Sequence, residues 1–346
     1  MHASPRRFAS AVPLRLPTYK VLSRFACTLV LMLGAAPGVV ALGILVPAYF
    51  YPTSGGYWSA LNQAAARVPL VAIMNPNNGP STSVNSDYTS AVNALRNAGG
   101  RVIGYVYSSY TARSVTEVKA DIDRYHAFYT IDGFFIDEMT NDADAGHLAY
   151  YEDLYQHIKA KRSSYFVVGN PGINTSATYL LRPTVDALVT FESNTGYSAY
   201  VPDPWTQTGP ATAFTHLCYD VAAPGTMTND VQLAVARNAG YIYVTDDRGS
   251  NPWDTLPSYW LAEVGFVETI NRQAASNQPP VLGISLDTNG AARVGVIGAP
   301  GRYVLQASDD FQNWEAVATN VSANGTFTFS VPRGTNQPAR FCRTAQ

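Results

Sequence analysis

Eight short runs rich in β-branched and aromatic residues recur along the chain, at 43–50, 69–75, 101–107, 133–137, 165–169, 187–192, 214–219 and 241–245. Helix-compatible segments separate most of them, at 57–67, 87–98, 115–128, 145–162 and 231–239, and a last one covers 258–271. Strands and helices alternating in this way form βα units around a parallel sheet. The segments after the fifth and sixth runs are weaker, since 176–181 is short and 196–207 is rich in Pro and aromatics. Eight strands, each followed by a helix or loop over close to the ~250 residues typical of the fold, predict a closed (β/α)8 TIM-type barrel. The competing arrangement is an open doubly wound sheet. It calls for a Gly-rich phosphate loop after the first strand, and Gly55-Gly56 offers neither G-x-G-x-x-G nor a Walker lysine.

The flanks read differently. In residues 1–41, Arg6, Arg7, Arg15, Lys20 and Arg24 occur without an acid before an apolar run and small residues, with Val39-x-Ala41 as one cleavage site. That order predicts a signal peptide, hence secretion and no membrane span in the mature protein. The barrel is then expected over 42–273 and a linker over 274–280 (AASNQPP spans it). Residues 281–346 switch to a period of two, with strands at 281–287, 292–297, 302–308, 315–320 and 326–331. Turns at 288–290, 299–301 and 323–325 separate them, so a small β-sandwich-like module is expected.

In such a barrel the active site forms where the C-terminal ends of the strands converge. Those ends supply Tyr49 and Tyr51, Asn75 and Asn77, Tyr105, Tyr107 and Tyr110, Asp137 and Glu138, and Asn170. Glu192 and Asn194, Tyr219 and Asp220, and Asp246 and Asp247 follow. This acidic, amide and aromatic set suits sugar hydroxyls and ring faces. Tyr is abundant at 22 residues, which suits either sugar stacking or a Tyr-rich core. Charged residues make up only 14% and the net charge is -2, which argues against a nucleic-acid partner.

Burying a carboxylate without a partner is costly, so acids ending the apolar run Gly133-Phe134-Phe135-Ile136 are either functional or caps of the next helix. Alternation places Asp137 with Phe135 and Glu138 with Ile136, which leaves open which acid faces inward. A polar Thr190 facing the interior carries Glu192 with it. Paired carboxylates on facing strands are what glycoside hydrolysis requires, one ionised and one protonated. Asp220, Asp246 and Asp247 read as loop caps ahead of site acids. The five His and three Cys (Cys27, Cys218, Cys342) show no ligand spacing or disulfide framework, and pairing of Cys218 with Cys342 stays open. No metal or cofactor is expected; a metal site from Asp137, Asp246 and Asp247 lacks a His ligand.

Several ordered motifs give the barrel a resemblance to the spherulin 4 family, glycoside hydrolase family 135. They are Ile44 to Pro52, Asn75 to Pro80, Val102 to Tyr110, Gly133 to Glu138, Gly169 to Gly172, Phe191-Glu192, and Trp253-Asp254 with Leu256-Pro257. The resemblance implies a (β/α)8 fold and endo-acting hydrolysis of an N-acetylgalactosamine-containing polysaccharide, as in fungal biofilm. It implies Asp137, Glu138 and Glu192 as the catalytic acids, with Asp137 as nucleophile, Glu192 as general acid/base and Glu138 positioning substrate or tuning its neighbour. Substrate contacts are expected from Tyr49, Tyr51, Asn75, Tyr105, Tyr107, Asn170, Tyr219, Asp246 and Trp253, in a protein that acts as a monomer. The β-rich tail departs from the fungal members and resembles modules of secreted bacterial proteins, with Tyr303 and Trp314 as core residues or sugar contacts. The rival function is a non-catalytic carbohydrate-binding or cell-surface protein on the same barrel.

Overall fold

The computed structural model describes residues 41–276, 280–286, 292–299, 301–308, 312–322, 325–331 and 341–345. The expected signal peptide, apart from residue 41, residues 277–279 of the expected linker, and residues 288–290, 300 and 323–324 of the expected turns lie outside them. The chain divides into two compact units, a barrel and a C-terminal β module.

The barrel strands are β1 (Gly43–Ala48), β2 (Leu70–Met74), β3 (Arg101–Tyr107), β4 (Gly133–Asp137), β5 (Phe166–Gly169), β6 (Ala187–Ser193), β7 (Phe214–Cys218) and β8 (Tyr241–Val244). They close in sequence order, and β8 pairs back in parallel with β1 through Gly43 opposite Tyr241. All positions of β1 and β2 are buried. A parallel sheet covered on both faces requires this, and it is why these runs read as continuous rather than alternating. Gly133 is obligatory at the start of β4, because a Cβ there would lie 1.9 Å from the Phe166 carbonyl oxygen.

Helices α1 (Tyr57–Ala65), α2 (Ser86–Asn97), α3 (Val115–Phe128), α4 (Ala145–Lys161), α5 (Thr178–Leu181), α6 (Pro224–Ala236) and α7 (Trp260–Ser276) follow their strands. Polar caps fix several starts. Asn85 accepts from the amides of Asp87 and Tyr88, Asp144 from Gly146 and His147, and Ser114 with Glu117 forms a reciprocal capping box. Two boundaries differ by five residues or more from the sequence reading. Helix α6 begins at Pro224 rather than 231, since Pro in the first turn is preorganised for a helix. Helix α7 runs on to Ser276, into the expected linker, through the helix-forming pair Ala274-Ala275. Three short 3-10 turns, Tyr197–Ala199, Pro204–Gln207 and Ala211–Ala213, replace a helix between β6 and β7.

The lower, N-terminal rim is held by ion pairs. Asp132, just before β4, accepts from Arg96 Nε at 3.0 Å and from the Val102 amide of β3 at 2.9 Å. Asp186, just before β6, repeats the device: it accepts from Lys159 Nζ at 2.7 Å, the Val167 amide of β5 at 2.8 Å and Tyr155 Oη at 2.8 Å. Each acid extends the strand ladder by one bond and is neutralised by a cation from a helix.

In the module, β9 (Val281–Leu286), β10 (Ala292–Ile297) and β13 (Thr326–Val331) form one sheet, and β11 (Gly301–Ser308), β12 (Glu315–Ser322) and β14 (Phe341–Ala345) form the other. Strand β14 was not foreseen. Val294, Val296, Tyr303, Leu305 and Phe329 share the module's core. Tyr303 is fully buried, so it is core rather than a sugar contact, and Trp314 is half-buried under the Arg343 guanidinium at 4.2 Å. Cys218 is a free thiol buried in the barrel and forms no bridge to Cys342. No helix among the described residues is long and apolar enough to cross a membrane.

Candidate active site

The two adjacent acids at the end of β4 part company. Glu138 adopts a left-handed backbone at φ 52, which ends the strand. Its carbonyl accepts from the Tyr110 amide at 2.7 Å and Ser108 Oγ at 2.8 Å, and its carboxylate accepts from Ser109 Oγ at 3.0 Å. Ser108 is in turn held by Tyr151 Oη of α4 at 2.9 Å. Glu138 therefore faces the loop after β3. Asp137 turns the other way, where Oδ2 accepts from Tyr105 Oη at 2.8 Å and Oδ1 from Asn170 Nδ2 at 2.7 Å.

Asn170 is the link between strands. Its own amide donates to the Ile136 carbonyl at 2.8 Å and its carbonyl accepts from Met139 at 3.0 Å, so the backbone is fixed against β4. The side chain is only 8% exposed, and the nitrogen that reaches Asp137 also donates to Glu192 Oε2 at 2.6 Å. One amide thus spans two carboxylates from β4 and β6. The facing oxygens are no farther apart than these two bonds laid end to end.

Glu192 reaches this position through a break in β6. The register against β7 shifts between Val189 and Phe191, a bulge that re-aims the residues after it. Alternation from Thr190 therefore does not carry Glu192 inward. Thr190 Oγ1 instead pairs with His216 Nε2 at 3.1 Å, and His216 Nδ1 pairs with Tyr197 Oη at 2.7 Å. Burial pulls His216 down to about 3, so it is a neutral structural imidazole.

The two carboxyl groups differ electrostatically. Burial, and then the charge of Asp137, push Glu192 up to about 7 against the one stabilising bond from Asn170. Burial also raises Asp137, opposed by the Tyr105 hydroxyl, the Glu138 amide and the Asn170 amide. Asp137 thus has three donors holding it ionised and Glu192 has one. The balance of these causes favours Glu192 as the holder of a proton shared by the pair. Burial and Asp137 raise the Tyr105 phenol, which stays protonated as a donor. No ion pair among the described residues involves Asp137, Glu138 or Glu192.

A cleft of about 460 Å³ opens over this site, lined by Tyr49, Asn75, Asn77, Tyr105, Asp137 and Trp253, with Asn78, Ser250 and Asn251 contributed by loops. Asn170 and Glu192 adjoin it through their hydrogen bonds to one another and to Asp137. Tyr49 sets its ring edge-on to Tyr105 at 5.5 Å, and its amide donates to the Trp253 carbonyl at 3.1 Å. Tyr219 packs edge-on behind Trp253 at 5.4 Å.

Three expected substrate contacts are engaged elsewhere. Tyr51 turns to the start of α2, donating to Asp87 at 2.7 Å. Tyr107 is covered by the Arg113 guanidinium at 4.1 Å. Asp246 accepts from the amide of Ser258 at 2.9 Å and from its hydroxyl, and so caps the entry to α7. Asp247 accepts from Thr255 at 3.0 Å in the same way. Both are the loop caps weighed from sequence. Among the described residues, no three His, Cys, Asp or Glu side chains are grouped to hold a metal. Asn78, Ser250 and Asn251 escaped the sequence reading because they lie beyond the strand ends, although the Asn-rich stretch 75–78 and the turn around Gly249 mark both loops.

The model of spherulation-specific family 4 (Spherulin4) matches residues 43–267. Spherulin-4 of Physarum polycephalum is 33% identical over 277 residues, covering 74% of this chain and 81% of the relative. Among solved structures, Sph3 of Aspergillus clavatus, determined in complex with GalNAc, superposes with a TM-score of 0.59 at 24% identity, covering 66% of this chain and 98% of Sph3. This likeness is one of fold. Given the match across nearly the whole barrel, the chain belongs to spherulation-specific family 4.

Proposed function

We propose that the protein is a secreted glycoside hydrolase, endo-acting on a polysaccharide containing N-acetylgalactosamine or galactosamine. The observation that carries this reading is the single Asn170 amide bonded to both Asp137 and Glu192. Glycosidase carboxyl pairs lie roughly 5–5.5 Å apart in retaining enzymes and roughly 6.5–9.5 Å apart in inverting ones. Oxygens sharing one donor fit the shorter class. The sugar found with Sph3 supports the substrate class, and the basic and apolar segments of residues 1–41 support secretion.

In the first step a carboxylate oxygen of Asp137 attacks the anomeric carbon while the bond to the leaving oxygen breaks. The proton of Glu192 passes to that oxygen. In the second step ionised Glu192 takes a proton from water, the water oxygen displaces Asp137, and both groups return to their starting states. Tyr105 and Asn170 keep Asp137 ionised and aimed, while Tyr49, Asn75 and Trp253 face the sugar across the cleft.

The test is release of reducing ends from a partly N-acetylated galactosamine polymer. Asp137→Asn and Glu192→Gln are each expected to lower the rate at least about 10³-fold. Polymer binding without release of ends by the wild type would point to the non-catalytic reading, and a fully active Glu192→Gln protein would reject the assignment.

A further inference from the structure

The loop after β3 presents an aromatic ring in the open, on a residue whose backbone is bonded to Glu138 at the end of β4. Tyr110 is 63% exposed, whereas Tyr105 bonds to Asp137 and Tyr107 lies under Arg113. Its backbone is unusual. Ser109, Tyr110 and Thr111 have φ values of 48, 55 and 74, three successive left-handed residues with no glycine among them. Each such residue costs roughly 1–2 kcal/mol, so an unsupported loop would relax away from this shape.

The support comes from the candidate site itself. The Tyr110 amide donates to the Glu138 carbonyl at 2.7 Å, and Ser109 Oγ donates to the Glu138 carboxylate at 3.0 Å. Across the turn, the Ala112 amide reaches the Ser109 carbonyl at 2.9 Å, and the Arg113 amide reaches that of Ser108 at 3.2 Å. All of these bonds are made by backbone and by neighbouring side chains, which leaves the Tyr110 ring exposed. Burial, followed by the charges of Glu138, Asp137 and Glu192, raises its phenol, which agrees with a ring standing near all three acids.

A lone exposed aromatic is ordinary on a protein surface. One whose strained backbone is tied to the residue following Asp137 is different, because such strain persists only where the surroundings over-determine it and clusters at binding sites. A pyranose offers an apolar face of C–H groups that a flat ring can cover while its hydroxyls stay in water.

We propose that Tyr110 is a stacking platform for a sugar ring adjacent to the unit held between Asp137 and Glu192. This rests on the hydrolase reading for the position of that unit. It also accounts for Glu138, whose bonds hold the platform in register with the candidate nucleophile.

Affinity for partly N-acetylated galactosamine polymer, measured by calorimetry on the Glu192→Gln protein, tests it. Adding Tyr110→Ala is expected to weaken binding about tenfold, equivalent to about 1.4 kcal/mol. Tyr110→Phe and Tyr110→Trp are expected to restore it, since the ring face rather than the hydroxyl makes the contact. Tyr110→Asn, a residue that tolerates left-handed backbone, gives the same weakening and serves where Ala unfolds the loop. Unchanged affinity in the folded Ala or Asn protein overturns the platform and leaves the hydrolase reading standing. Ring-dependent binding by a wild type that releases no reducing ends overturns hydrolysis alone. No binding of the polymer overturns both.

Discussion

Strands β4 and β6 each carry an acid at both ends, and the two ends are built on opposite principles. At the lower rim, Asp132 and Asp186 face Arg96 and Lys159 and cap the backbone of the preceding strand. At the upper rim, Asp137 and Glu192 face each other through Asn170, and only neutral groups donate to them. The lower acids are satisfied as charges and lock the barrel closed. The upper pair is left one proton short of comfort, with Glu192 pushed up to about 7. Within a few residues of the same strand, the presence or absence of a cation separates an acid held as a charge from one pushed toward protonation.

The largest expected effect that breaks this comparison is on activity. Asp137→Asn removes the candidate nucleophile and the charge that opposes ionisation of Glu192, so hydrolysis falls at least about 10³-fold while the thermal midpoint does not drop. Loss of activity through unfolding would erase the distinction between the rims, and a melting curve beside the assay separates the two. Next in size is Asn170→Ala, expected to slow hydrolysis about 100-fold. It also shifts the whole pH–rate profile upward, because Asn170 lowers the pKa of both acids.

The lower rim should respond in the opposite currency. Asp186→Ala strands Lys159 and the Val167 amide and is expected to cost about 1–3 kcal/mol in urea unfolding, with turnover per folded molecule unchanged.

A fifth acid sharpens the contrast. Glu263 is wholly buried in α7, accepts from the Val244 amide at 2.9 Å, and is raised well above its ordinary value by burial. It is not among the residues lining the cleft. A raised pKa alone is therefore no mark of function; it needs a partner carboxylate and an open cleft. Glu263→Gln should leave hydrolysis intact and have the smallest effect, a change in the pH dependence of stability. The folded value lies above the unfolded one, so this acid's contribution is fully present below about 4.5 and is lost as pH rises toward the folded value. The Gln protein should lose less stability than wild type between mildly acidic and neutral pH, read from urea midpoints.

Much of this was legible before the fold was known. Eight apolar runs announced the barrel because a parallel sheet buried on both faces leaves no polar alternation to confuse the reading. The rim acids stood out because carboxylates end those runs. What stayed hidden depends on partners distant in the chain. The choice between Asp137 and Glu138 goes with a left-handed Glu138 that is bonded by Ser108, Ser109 and Tyr110. The route of Glu192 depends on a bulge that no local pattern encodes. Tyr51, Tyr107 and Asp246 sit at the strand ends as expected, yet nearer partners take them: the start of α2, Arg113 and the entry to α7.

The central claim is that Asp137 and Glu192 share a proton near neutrality because both are buried and face each other with no cation beside them. The direct measurement is the titration of the Glu192 side-chain carboxyl by 13C NMR, in the wild type and in Asp137→Asn. The account predicts a midpoint of about 7 in the wild type, moving down once the neighbouring charge is gone. A midpoint near the ordinary 4.5, or one indifferent to Asp137, would contradict it.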